Sequence, residues 1–255
     1  LQWNHIFNVF EGVQYPMSSK TLFRQVKAAN LRYKMIQNND RIAVGVSGGK
    51  DSLVLLHAFK LMQDYSPLEF ELFPVTIDLG WGDDWGPVSD YCAVLGLPHK
   101  IVETRIGPLV FEERQESNPC ALCANLRSGS LNRTAIALGC NKVALGHHLD
   151  DAVVTLMMSM IFEGQYRTFT PVTYLSRMDL SLIRPLVYVE EKLISKMASS
   201  LNLPVQSSRC PVTGATNRDT IKAFLNDLES QYPYSKRRML KAMENVNVNS
   251  FWGEK

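Results

Sequence analysis

The sequence predicts an α/β fold: an open, mostly parallel five-stranded sheet with helices on both faces, followed by C-terminal helices. Short apolar or alternating runs at 42–46, 68–77, 99–103, 142–145 and 180–186 read as strands, the last ended by Pro185. Segments with apolar residues at helical spacing separate them, the alternation expected of a parallel sheet. Beyond 186 the pattern changes, and 190–201, 218–228 and 235–246 read as successive helices.

A chain of 255 residues that is 45% hydrophobic and 20% charged can bury one sizeable core with a small appendage. The expected organisation is an N-terminal extension at 1–17 and a single domain at 18–255 whose helical part starts near 207. A net charge of +2 is too small to argue for a nucleic-acid partner, so that case rests on local patches. No apolar run reaches the roughly 18 residues of a membrane span, and the N-terminus lacks a secretory pattern. The expectation is a cytoplasmic protein without a membrane partner. Five cysteines, an odd number, argue against a disulfide framework and for free thiols, metal ligands or catalytic thiols.

Residues 1–16 are aromatic-rich and fit no clear helix, and Met17 would make a natural start. Residues 18–36 predict a helix with Leu22, Val26, Ala29 and Tyr33 on one face. Lys20, Arg24, Lys27, Arg32 and Lys34 make it basic, either as a solvated face or as an RNA-backbone contact.

The stretch 40–57 organises the rest. An apolar run, 42–46, is broken by Ser47-Gly48-Gly49, and Leu53, Leu56, Ala58 and Phe59 then follow at helical spacing. Strand, glycine turn and helix make an anion cradle, because glycines admit close backbone approach and the helix offers free N–H groups. A Walker A loop is excluded: Asp51 follows Lys50 where that loop needs Ser or Thr, and Val44 stands where its first Gly would be.

Asp78 falls at the carboxyl end of the second strand, where open α/β sheets hold ligands; a turn Asp before Leu79-Gly80 is the competing reading. Residues 88–95 predict a short helix closed by Gly96. Cys120-Ala-Leu-Cys123 is placed before a helix running to Ala137, which speaks against a helix-opening redox pair. No second Cys-x-x-Cys completes a structural zinc site. Cys92 and Cys140 read as structural, whereas Cys210 sits in a polar loop suited to a ligand or reactive thiol. Three thiols, Cys120, Cys123 and Cys210, can hold three irons of a 4Fe-4S cluster and leave the fourth open; unrelated buried or zinc-bound thiols are the competing reading.

Gly146-His147-His148-Leu149-Asp150-Asp151 leads from the fourth strand into an apolar helix. Adjacent histidines on such a turn diverge, which weakens a zinc reading. Asp150 suits the N-cap and Asp151 the first turn. Met157, Met158 and Met160 are expected in the core. Lys236-Arg237-Arg238 is a second small basic cluster, either a solvated face or a tRNA contact.

The hexapeptide Ser47-Gly-Gly-Lys-Asp-Ser52 resembles the PP-loop of the ATP pyrophosphatase superfamily. With Pro119-Cys-x-x-Cys-x-x-x-Arg127, Leu145-Gly-His-His-x-Asp-Asp151, Ile183-Arg-Pro-Leu186 and the late Cys210, the chain from about 18 to 246 is similar to the tRNA 2-thiocytidine synthetases. Many of those carry a second Cys-x-x-Cys in the late loop, where this chain has Cys210 followed by Pro211, as in a shorter subgroup. The resemblance implies ATP-dependent thiolation of an anticodon-loop cytidine, with ATP, Mg2+ and a 4Fe-4S cluster. It implies phosphate binding by Ser47, Gly48, Gly49, Lys50, Asp51 and Ser52, and magnesium near Asp51. Asp78, Gly146, His147, Asp150 and Asp151 would lie near the nucleotide, and Cys120, Cys123 and Cys210 would ligate iron. Implied partners are tRNA and a sulfur donor such as a cysteine desulfurase; a homodimer is among the assemblies the sequence allows. Two other functions stay open: a PP-loop sulfurtransferase on another RNA base or a small molecule, and a non-catalytic nucleotide and redox sensor.

Overall fold

Alternating strands and helices build the sheet in the computed structural model, which describes residues 17–114, 119–207, 209–211 and 216–250. The predicted extension, apart from Met17, lies outside the described residues. Its elements are α1 (Met17–Tyr33), β1 (Asp40–Gly45), α2 (Lys50–Tyr65), β2 (Phe70–Asp78), α3 (Gly86–Val94), β3 (Lys100–Glu103), α4 (Pro119–Ala137) and β4 (Lys142–Ala144). There follow α5 (Leu149–Glu163), β5 (Val172–Leu175), β6 (Leu180–Ile183), α6 (Glu191–Ser200), α7 (Asn217–Gln231) and α8 (Ser235–Glu244). The chain divides into two units. The first holds residues 1–148 and 170–213; the second holds 149–169 and 214–255.

In the first unit the sheet order is β3-β2-β1-β4-β6-β5. Five strands are parallel, with Ala43 opposite Phe73 and Val143, and β5 pairs antiparallel with β6. Ile42, Ala43 and Val44 are all fully buried. Since successive strand residues point to opposite faces, both faces of β1 are covered. Ala43, Val75 and Val143 share a cluster with Leu131 and Ala135 of α4. Helix α2 packs on β1 and β2, with α1 and α6 packed against α2. Among the described residues no helix is long and apolar enough to cross a membrane.

The predicted strands are present, and β5 is added to them. It was not legible because it is four residues long and only partly buried, and the turn leading to β6, residues 176–179, lacks glycine. A buried group outside that strand holds it: the Arg184 guanidinium donates to the Thr170 carbonyl at 2.7 Å and to Thr173 Oγ1 at 3.1 Å. The motif Arg184-Pro185 thus serves the sheet edge.

The second unit gathers α5, α7 and α8 around Leu149, Val153, Val154, Ile221 and Leu225. Met157 and Met158 pack against this cluster, as expected. Met160 does not. It lies outside that cluster and is 45% exposed, and Ile161 and Phe162 beside it are exposed as well, so the end of α5 turns apolar side chains outward.

Candidate nucleotide and thiol site

The strand order reverses between β1 and β4, and the loop after β1 opens at that crevice, where open α/β sheets bind ligands. Val46 N–H still donates to the Val75 carbonyl at 2.8 Å, extending the ladder to the edge of the glycines. Gly48 then takes φ +76, a left-handed conformation, and a Cβ there would lie 3.0 Å from Gln206 Oε1 and 3.1 Å from the Trp85 ring. Gly49 occupies the N-cap of α2 and no side chain caps the helix. The first-turn N–H groups of α2 therefore have neither intrahelical nor side-chain acceptors, as an anion site requires. Ser52 braces the loop from inside: its hydroxyl donates to the Gly49 carbonyl at 2.9 Å and accepts from Ser47 N–H at 3.1 Å.

Charge is concentrated at the same place. Lys50 Nζ lies 2.9 Å from Glu191 Oε1 and 3.1 Å from Asp51 Oδ1. Burial works against the Lys50 ammonium, but hydrogen bonds and charge from Glu191 and Asp51 outweigh it and raise its pKa. His148 Nε2 stands 3.7 Å from Asp51 Oδ1. Glu191, in the first turn of α6, and His148 were not among the candidates read from the sequence. Glu191 is 141 positions from Lys50, and no local pattern announces such a pair.

Gly146, after β4, contributes by having no side chain. A Cβ there would sit 3.1 Å from both the Asp51 carbonyl carbon and the Ser52 nitrogen. The backbone following β4 thus abuts the start of α2. Gly146→Ala is expected to cost about 1–3 kcal/mol, the range for overpacking a close contact, and to weaken ATP binding by displacing the loop. Denaturant titration and ATP titration of the variant check both effects; wild-type values for both would contradict this role.

Asp78 ends β2 at the same edge. Its Oδ1 accepts from Gly80 N–H at 2.9 Å, so the turn reading describes that oxygen. His147 is half-buried in the segment between β4 and α5. Asp150 and Asp151 belong to the second unit. Helix α5 begins at Leu149, so Asp150 stands within the first turn instead of at the N-cap. It pairs with Lys236 Nζ at 2.8 Å, and Asp151 pairs with Arg218.

The thiols divide as their environments dictate. Cys92 and Cys140 are buried, and burial pushes both thiols up to about 11, which leaves them inert. Cys120 is exposed, while Cys123 and Cys210 are half-buried. The Cys-x-x-Cys was expected before a helix; it lies inside one. Pro119 opens α4, a position where a missing N–H costs nothing, so Cys120 and Cys123 share the first turn of the helix three residues apart. Burial raises the Cys123 pKa, Arg127 opposes this, and the Cys210 and Cys120 thiols add to the rise. The late cysteine is therefore within electrostatic reach of Cys123, although 87 positions separate the two and no local pattern links them.

The Cys210 segment is also tied to the phosphate loop. Gln206 N–H donates to the Gly48 carbonyl at 2.9 Å, and Gln206 Nε2 donates to the Asp84 carbonyl. Arg209 donates to the Gly82 carbonyl at 2.9 Å and pairs with Asp83 at 3.4 Å. Among the described residues no three His, Cys, Asp or Glu side chains are grouped to hold one metal ion. A cubane makes a different demand, since each thiolate binds its own iron. Three soft thiols, with Cys120 and Cys210 both acting electrostatically on Cys123, fit that donor set.

Residues 18–225 match the PP-loop domain family. The tRNA-cytidine(32) 2-sulfurtransferase of Pelobacter propionicus is 38% identical over 242 residues, which is 92% of this chain and 90% of that protein. The tRNA-cytidine(32) 2-sulfurtransferase of Geobacter sulfurreducens is 39% identical over 235 residues, 85% of this chain and 91% of that protein. Among solved structures, the U34-tRNA thiolase NcsA from Methanococcus maripaludis with its 4Fe-4S cluster matches with a TM-score of 0.73 at 26% identity. That match covers 92% of this chain and 80% of NcsA. The PP-loop sequence at the sheet's switch point and this degree of identity agree: the chain belongs to the tRNA-cytidine(32) 2-sulfurtransferase family of PP-loop proteins.

Proposed function

We propose that this chain catalyses ATP-dependent thiolation of a tRNA cytidine at C2, releasing AMP and pyrophosphate. The observation that supports this reading is the hydrogen bond from Gln206 N–H, in the Cys210 segment, to the Gly48 carbonyl of the phosphate loop. The N–H groups at the start of α2 bind the phosphates, and Gly48 and Gly49 let the chain approach them. Lys50, held charged by Glu191 and Asp51, stabilises negative charge building on the departing pyrophosphate. Asp51 would hold magnesium beside those phosphates.

The cytidine O2 attacks the α-phosphorus, the bond to the β-phosphate oxygen breaks, and pyrophosphate leaves. The base then carries AMP on its former carbonyl oxygen. A sulfur nucleophile adds at C2 and AMP departs with that oxygen, leaving sulfur in its place. Cys120, Cys123 and Cys210 would hold the 4Fe-4S cluster as thiolates. When bound, such a cluster supplies one iron without a protein thiolate, able to carry the sulfur. The nucleotide to be modified lies in a loop, where a base can be splayed from its stack.

Asp78, Gly146 and His147 border the ATP loop as shape-giving residues, while Asp150 and Asp151 keep their ion pairs and order the second unit. A cysteine desulfurase or free sulfide supplies the sulfur, and the reaction runs in the cytoplasm with its tRNA substrate. Coupled product analysis tests the scheme. ATP must be cleaved to AMP and pyrophosphate, in an amount matching the thionucleoside formed and only with tRNA present. Release of ADP and phosphate would refute the adenylation step.

A further inference from the structure

In the second unit, the turn between α7 and α8 is built at a cost and buries nothing with it. Tyr234 has φ +69, a left-handed conformation that disfavours any residue with a Cβ. Its side chain is nevertheless 61% exposed, and that of Tyr232 is 60% exposed. Glu229 holds this arrangement. Its Oε1 accepts from Tyr234 N–H at 2.7 Å, and its Oε2 accepts from Ser235 Oγ at 2.7 Å and Lys236 N–H at 2.9 Å. Strain retained where no packing rewards it points to a use for the ring so displayed.

The helix beyond the turn is two-faced. Met239, Leu240 and Met243 pack inward on the unit's core. Arg237, Arg238 and Lys241 are exposed along the other side. The Arg237 guanidinium lies 6.0 Å from the centre of the Tyr234 ring, so cation and aromatic face are presented together. Lys236, adjacent in sequence, is half-buried and donates to Asp150 at 2.8 Å and Asn226 at 2.6 Å. The sequence cluster Lys236-Arg237-Arg238 therefore splits into one internal strut and two outward charges.

We infer that Tyr232 and Tyr234, with Arg237, Arg238 and Lys241, form a contact surface for unpaired nucleotides of the tRNA substrate. The tyrosines stack on bases and the cations meet phosphates. Rings beside a row of cations suit single-stranded RNA, whose bases all have a stacking face. This rests on the thiolation reading above for the identity of the RNA.

The test uses the full chain and unmodified tRNA, with affinity measured as a function of salt. Tyr234→Gly is the decisive variant, because glycine relieves the left-handed strain while removing the ring. Expected is a tRNA dissociation constant raised about tenfold, with an unchanged salt slope, an unchanged ATP affinity and a melting temperature no lower than wild type. Arg237→Gln/Arg238→Gln is expected to flatten the slope of log affinity against log salt by about 1.5, the loss of two phosphate contacts. Wild-type affinity and slope in both variants would overturn the inference, as would a binding loss in Tyr234→Gly that follows a lowered melting temperature. Failure of the wild-type chain itself to bind tRNA would sink the thiolation reading instead, so the two are separable.

Discussion

Cys210→Ser is expected to abolish sulfur transfer, lowering the thiolation rate at least about 100-fold, while ATP affinity stays near wild type. The substitution is nearly isosteric, so the backbone of its segment keeps the Gln206–Gly48 and Arg209–Gly82 hydrogen bonds. What it removes is a soft thiolate, and a serine hydroxyl is a poor ligand for iron in this donor set. Iron and sulfide content per chain should fall, and visible absorbance of the reconstituted protein should fall with them. These readouts do not depend on turnover. A variant with full iron content and wild-type thiolation would take Cys210 out of the scheme. Wild-type iron with no thiolation would instead assign Cys210 to the sulfur-transfer step and refute its role as a ligand.

The second large effect is expected at Lys50. Lys50→Met should reduce kcat/KM for ATP about 100- to 1,000-fold, the range for removing a charge-stabilising donor from a transition state. The same change leaves Glu191 and Asp51 without their shared cation, so stability should fall as well. A second substitution separates the two consequences. Lys50→Met/Glu191→Met removes one of the two uncompensated carboxylates and should recover part of the stability without recovering activity. Recovery of both would mean that Lys50 acts only as a structural partner of Glu191. Retention of activity in the single variant would remove the lysine from pyrophosphate departure.

Legibility in the sequence followed distance along the chain. The phosphate loop was readable because strand, glycines, cations and helix are contiguous, and each residue's role there is local. The parallel strands were readable as apolar runs between amphipathic helices. The sheet's outer strand β5 was not, being half-exposed and held by Arg184 from outside its own segment. Cys120 and Cys123 were placed before the helix ending at Ala137, but that helix starts at Pro119, a residue favoured in the first turn. Glu191 and Gln206 were invisible for a different reason: each matters only through a partner brought close by the fold, and neither carries a spacing signal of its own. His148 was read as part of a motif, but its approach to Asp51 was not. The basic cluster after residue 235 shows the same limit, since sequence adjacency cannot tell the internal Lys236 from the exposed Arg237 and Arg238.

The most direct measurement is single-turnover thiolation. Anaerobically reconstituted protein is mixed with unmodified tRNA, Mg-ATP and sulfide, the RNA is digested, and the nucleosides are resolved by mass spectrometry. The account predicts 2-thiocytidine, formed only when ATP is present and at no more than one per chain when the external sulfide is withheld. Absence of any thionucleoside from protein with an intact cluster would contradict it, and a thiolated uridine in place of cytidine would contradict the assignment of the base.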